Sequence, residues 1–155
     1  MERLPLNGFL NRFRGPQETS GEMVDTAGNV VGQHDGYERF TIGQRRGLGV
    51  TFGAPRYVIA IEAEAKRVVI GKYEDLACTE LDADRLNWLV DEVPTNFSCH
   101  AMIRYRHTAA LAEVSVLDED RMRVKFVEPQ FGVAPGQAVV LYDVDRVLGG
   151  GWICN

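Results

Sequence analysis

Arginine is the residue through which this sequence offers chemistry, and it is clustered. Between Arg39 and Ile61 the chain carries Arg39, Arg45, Arg46 and Arg56 and no acidic residue. Inside that stretch, Gly43-Gln44-Arg45-Arg46-Gly47-Leu48-Gly49 sets glycines around two guanidinium groups. Glycines let backbone N–H groups come close to an anion, and guanidinium groups fork onto phosphate or a base edge. A second acid-free run, His100 to His107, holds Arg104 and Arg106 about Tyr105. On a strand, alternation puts both arginines on one face and the tyrosine on the other, an arrangement that tracks a nucleic-acid backbone and adds a stacking ring. The plainer alternatives are a solvated loop for the first cluster and a strand exterior paired with carboxylates for the second.

Other constellations fall short of chemistry. No G-x-x-x-x-G-K-[ST] loop occurs, because Gly43 to Gly49 lacks the lysine and hydroxyl that hold phosphate and magnesium. No strand–GxGxxG–helix unit and no G-x-S-x-G is present. Cys78, Cys99 and Cys154 form no C-x-x-C, which argues against a zinc site or a disulfide framework and leaves buried thiols as the simple reading. Cys99 is followed by His100, but strand neighbours point to opposite faces, so the thiol gains no base. His34, His100 and His107 show no metal-ligand spacing, and no metal is expected. Asp118-Glu119-Asp120 reads as a solvated turn.

The chain has 155 residues, with 17 Lys+Arg against 22 Asp+Glu, a net charge of -5 and 45% apolar residues. Such a chain can bury roughly 68–70% of its unfolded surface, enough for one core or two small ones. Its longest apolar runs, Tyr57 to Ile61 and Ala138 to Tyr142, fall far short of the ~18 residues of a membrane span, and a cytoplasmic location is expected. Residues 1–75 hold ten basic and ten acidic side chains, whereas residues 76–155 hold seven and twelve. The overall acidity opposes non-specific coating of polyanions, yet concentrated arginines can still hold phosphates at defined places.

These side chains need elements to position them, and the pattern is mainly β. Phe9, Leu10 and Phe13 behind Asn7 predict a short N-terminal helix. Glu22-Met23-Val24 and Asn29-Val30-Val31 flank a turn, and Tyr57 to Ile61 with Arg67 to Gly71 form a second hairpin. Between the hairpins, Gly43 to Gly49 must be a shaped loop. Further on, Asn87 to Val90, Ser98 to Tyr105, Ala112 to Leu117, Met122 to Phe126, Ala138 to Tyr142 and Arg146 to Trp152 read as strands, with Pro129 in a loop. The expectation is a small β domain over residues 1–75 and a six-stranded antiparallel β-barrel over residues 76–155, since closure removes exposed edges.

Particular strings carry more than periodicity. Gly32-Gln33-His34-Asp35-Gly36, Tyr37 to Phe40 and Thr41-Ile42-Gly43-Gln44-Arg45-Arg46-Gly47-Leu48-Gly49 resemble the middle region of bacterial tRNA-specific 2-thiouridylases, long catalogued as tRNA methyltransferases. In order follow Tyr57-Val58-Ile59, Asn87-Trp88, Phe97-x-Cys99-x-Ala101-x-Ile103-Arg104-Tyr105-Arg106, Glu128-Pro129-Gln130, Pro135-Gly136-Gln137 and Leu148-Gly149-Gly150-Gly151. The resemblance spans nearly the whole chain and implies the C-terminal part of such an enzyme, a central tRNA-recognition domain followed by the β-barrel. It implies tRNA and an N-terminal catalytic domain as partners, with no membrane and no DNA. In the family that missing domain uses ATP, through an S-G-G-x-D-S loop, and a persulfide donor to thiolate the wobble uridine. This chain has no S-G-G-x-D-S, and its cysteines match neither catalytic position, so no cofactor and no catalytic residue are expected within it, and it is expected to be inactive alone, with Met1 marking a truncated start. By the same resemblance Arg104, Tyr105 and Gln137 fall at positions used against tRNA, while Gln44, Arg45 and Arg46 sit in the loop facing the active site; His107 departs from the glutamine often found there. The alternative is a stand-alone β-barrel that binds a small ligand or a protein partner. Methyl transfer finds no S-adenosylmethionine-type glycine loop.

Overall fold

A computed structural model describes residues 18–49, 51–104 and 108–154. The backbone separates into two compact units at Leu76/Ala77. The expected helix over Asn7 to Phe13 lies outside the described residues.

The first unit is a four-stranded sheet built from β1 (Gly21–Asp25), β2 (Val30–His34), β3 (Tyr57–Glu62) and β4 (Arg67–Gly71), in the order β2-β1-β4-β3. The two predicted hairpins are β1–β2 and β3–β4, and they join through a parallel β1–β4 pairing. Asp25 fixes the first turn, its Oδ1 accepting hydrogen bonds from the backbone N–H groups of Ala27 and Asn29 at 2.9 and 2.8 Å. Met23, Val58, Val68 and Ile70 are buried on one face of the sheet. The long connection from β2 to β3 supplies the other side of this core through Leu48, with Phe40, Ile42 and Phe52 packed around it. A loop otherwise rich in glycine and arginine is therefore held down by apolar side chains placed every few residues.

The second unit is a closed barrel of β5 (Ala77–Trp88), β6 (Asn96–Met102), β7 (Ala110–Val116), β8 (Met122–Phe131), β9 (Ala138–Asp143) and β10 (Arg146–Ile153), in the order β10-β5-β8-β7-β6-β9. All its pairings are antiparallel, and β9 closes back onto β10. Alternation works as read from the sequence: Ala112, Val114, Met122, Val124 and Phe126 are buried, while Glu113, Arg123 and Lys125 face solvent. Leu81, Ala83, Cys99, Ala101, Val139, Leu141 and Ile153 complete the interior.

Three boundaries differ from expectation. β5 begins ten residues before Asn87 and ends at Trp88, so Leu89 and Val90 fall beyond it. Pro129 lies inside β8 rather than in a loop. The β5–β8 register shifts between Cys78 and Glu80, so Pro129 falls where the ladder is irregular and its missing N–H removes no pairing from a regular sheet. β6 stops at Met102, short of Arg104, because β7 joins it only as far as Ala101↔Ala110 and the β9 ladder extends only to Met102↔Val140. Among the described residues no helix is long and apolar enough to cross a membrane.

Candidate nucleic-acid interface

Where β6 leaves its ladder, an opening forms on the barrel exterior. Met102, Val140 and Tyr142 are the outward members of the β6–β9 pairing, alternating with the buried Ala101, Val139 and Leu141. They floor a cavity of about 440 Å3 that Arg104 and Gln137 also line. Arg104 sits in a bend just past the strand rather than on a strand face, so alternation does not set its direction. Its Nη2 donates instead to the carbonyl oxygen of Gly132 at 2.7 Å. That carbonyl orients the guanidinium. Gly132 has φ +76, which favours glycine, and a Cβ there would lie 2.7 Å from Arg104 Nη2, so a side chain would push the guanidinium aside.

Gln137 is fixed from the other side. Its carbonyl accepts from Ile153 N–H at 2.8 Å, and its own N–H donates to Ala134 at 3.3 Å, which locks the turn entering β9. The side-chain Oε1 is shielded and has no hydrogen-bond partner among the described residues. A buried amide oxygen without a donor carries a desolvation cost that an incoming N–H or O–H group would relieve. The cavity thus combines a fixed cation, an unmet acceptor and an apolar floor. Tyr105 lies outside the described residues, as does Arg106.

The glycine-rich loop has a different construction. Gly43 N–H donates to Val58 O at 2.8 Å and Val58 N–H donates to Gln44 O at 2.9 Å, which ties the loop to β3. The Gln44 amide is used within the loop: Oε1 accepts from Thr41 N–H at 3.0 Å and Nε2 donates to Arg46 O at 2.8 Å. Gln44 is therefore the brace that shapes the loop, and Leu48 is its anchor in the core. Arg45 and Arg46 are exposed. Arg45 lines a second cavity, also of about 440 Å3, together with Phe52 and Arg56. Sequence reasoning placed Arg56 in the basic stretch but assigned neither it nor Phe52 a site role; an aromatic four residues before an arginine was the available signal. Nothing in the sequence marked Gly132, whose partner lies 28 positions away.

The thiol in the barrel core is not placed as a reactive centre. Cys99 is buried, and desolvation with a smaller contribution from the Asp143 charge pushes its pKa up to about 11. His100, its neighbour, faces the opposite way and is exposed. Cys78 Sγ lies 2.9 Å from Glu80 O. Among the described residues no group of three or more His, Cys, Asp or Glu side chains is placed to hold a metal ion.

Comparison with known proteins agrees with this division. The family model described as the tRNA methyl transferase PRC-barrel domain matches residues 7–72, and that described as the aminomethyltransferase beta-barrel domain matches residues 78–153. The tRNA-specific 2-thiouridylase MnmA of Syntrophotalea carbinolica is 47% identical over 146 residues, which cover 94% of this chain and 42% of that protein. The chain belongs to the tRNA-specific 2-thiouridylase family. The family members of Koribacter versatilis and Rhodopirellula baltica are 47% and 50% identical, each over 88% of this chain and over 37% and 35% of their own lengths. The chain thus spans about two fifths of the length of these curated 2-thiouridylases and corresponds to their C-terminal part. Within the part matched as a PRC-barrel domain, the described residues form the four-stranded sheet.

Proposed function

We propose that this chain is the tRNA-binding C-terminal portion of a cytoplasmic tRNA 2-thiouridylase, which holds tRNA while an N-terminal catalytic domain transfers sulfur to the wobble uridine. The observation that carries this reading is the barrel cavity in which Arg104 and Gln137, 33 positions apart in sequence, converge. The guanidinium suits a phosphate, and the Gln137 amide suits a base or sugar edge, so one residue supplies position and the other discrimination. The apolar floor of Met102, Val140 and Tyr142 excludes water around both contacts, which strengthens them.

ATP and a persulfide donor belong to the reaction of the parent enzyme, and neither the Gly43 to Gly49 loop nor Cys99 is suited to hold them. Among the described residues no helix lies between the Gly43 to Gly49 loop and β3, so no helix N-terminus is placed there for a nucleotide phosphate. Cys99, with its raised pKa, is a poor persulfide carrier at neutral pH. No step of the sulfur transfer is therefore assigned to this chain.

Gel-shift titration of the 155-residue chain with tRNA bearing a wobble uridine tests the reading. Arg104→Ala should weaken binding and lower the dependence of log K on log salt by about 0.7–0.9, the signature of one lost phosphate contact. Gln137→Ala should weaken binding with an unchanged salt slope. A DNA of the same sequence should compete poorly. Binding unaffected by either substitution would remove the barrel cavity from the interface.

A further inference from the structure

The first unit holds a second concavity that the proposed contacts of the barrel leave unused. Arg45, Phe52 and Arg56 all line it. Arg56 sets its guanidinium carbon 5.9 Å from the centroid of the Phe52 ring, and its Nη1 donates to Pro55 O at 3.3 Å. Phe52 in turn is half-buried against the core cluster of Met23, Leu48 and Val58. The Arg56 guanidinium thus sits over a ring that itself packs against the core.

Charge is the second feature. No acidic residue occurs from Arg39 to Ile61, and neither Arg45 nor Arg56 forms an ion pair with a carboxylate among the described residues. Other arginines of the chain, Arg67, Arg121 and Arg123, all meet carboxylates within 3.3 Å. Gly47 and Gly49, both with φ +72, keep the wall beside Arg45 at the level of bare backbone. A volume of about 440 Å3 falls within the ~300–1,000 Å3 common for small-molecule sites.

We propose that this concavity is a second RNA site that takes one unpaired nucleotide: its phosphate sits between Arg45 and Arg56, and its base stacks on the guanidinium of Arg56, which lies over the Phe52 ring. Two cations without carboxylates call for an anion. A guanidinium plane backed by an aromatic ring is a stacking platform for any base, which calls for a nucleotide rather than a bare phosphate. The inference rests on the reading of the chain as a tRNA-binding module and adds to it a contact to single-stranded RNA made by the first unit.

The test uses the full 155-residue chain and a short single-stranded RNA carrying 2-aminopurine, whose fluorescence is quenched by stacking. Arg56→Ala should weaken binding about fivefold or more and abolish the fluorescence change. Arg56→Lys should keep most of the salt dependence while losing the fluorescence change, because lysine supplies charge without a plane. Arg45→Ala should lower the salt slope by about 0.7 and leave the fluorescence change in place. Arg45 and Arg56 lie at the surface of the loop, so these substitutions keep the core intact. If tRNA binding falls for Arg104→Ala while Arg56→Ala and Arg45→Ala match the unaltered chain, this site is wrong and the barrel reading stands. If all three match, both readings fall. Equal competition by inorganic phosphate and by the RNA would reduce the site to an anion site and overturn the nucleotide assignment.

Discussion

Gly132 is the residue on which the barrel cavity turns, although it touches no ligand itself. Its carbonyl receives Arg104 Nη2 at 2.7 Å, and its missing side chain leaves room for that guanidinium. Gly132→Ala places a methyl group against Arg104 and strains a backbone at φ +76. The expected outcome is a loss of tRNA affinity comparable to that of Arg104→Ala, with a drop in stability of about 1 kcal/mol or more, measured by titration and by urea unfolding. The cysteines provide a second check at this scale. Cys154 is exposed and Cys99 is buried with its thiol raised to about 11. Iodoacetamide at pH 8 should therefore label Cys154 first and leave Cys99 unmodified until denaturant is added, as read by mass spectrometry. Labelling of Cys99 at the rate of Cys154 in the folded protein would mean that the barrel interior opens readily.

At the scale of elements, the ion-paired exterior of β5 and β8 gives a pH prediction. Arg123 Nε and Nη2 donate to Asp82 Oδ1 and Oδ2 at 2.7 and 3.0 Å across the paired strands. Hydrogen bonding from Arg123 is the main cause that holds the Asp82 carboxyl below its ordinary value, with partial burial opposing it. A carboxyl lowered on folding contributes stability above its unfolded value of about 3.9, and that contribution disappears as pH falls through the lower folded value. Asp82→Asn should thus cost on the order of 0.5–1 kcal/mol at pH 7, and the gap to the unaltered chain should close below about pH 3 in denaturant titrations. A gap that stays constant down to pH 2 would trace the cost to packing instead.

β5 also shows where the sequence is silent. Its twelve residues include Glu80, Asp82, Asp84 and Arg85, and only Leu81 and Ala83 are fully buried, so alternation is masked by a charged outer face and by a turn to positive φ at Arg85. The β7–β8 hairpin was legible because bulky apolar residues repeat every second position on both arms. Closure of the barrel was legible from strand number, whereas the end of β6, which decides where Arg104 points, depends on which neighbours stop pairing. Of the interface, the arginine clusters could be read directly. The convergence of Arg104 with Gln137, and of Phe52 with Arg56, follows from tertiary contacts that no local pattern encodes.

At the scale of the whole molecule, each unit carries its own core. Leu81, Met122, Val124, Val139 and Leu141 are fully buried within the barrel, and Met23, Val58 and Val68 within the sheet. Every barrel strand is paired on both sides, so among the described residues the closed barrel leaves no open edge. Expressed alone, residues 77–155 should give a β-type circular dichroism spectrum and a single cooperative unfolding transition. Leu81→Ala should destabilise it by about 2–5 kcal/mol, as expected for a fully buried leucine. The isolated barrel should also retain the part of tRNA affinity sensitive to Arg104 while losing the 2-aminopurine signal assigned to Arg56. A barrel fragment that unfolds without cooperativity would show that its core is insufficient by itself. A fragment that folds and still produces the full fluorescence change would move the stacking platform out of the first unit and into the barrel.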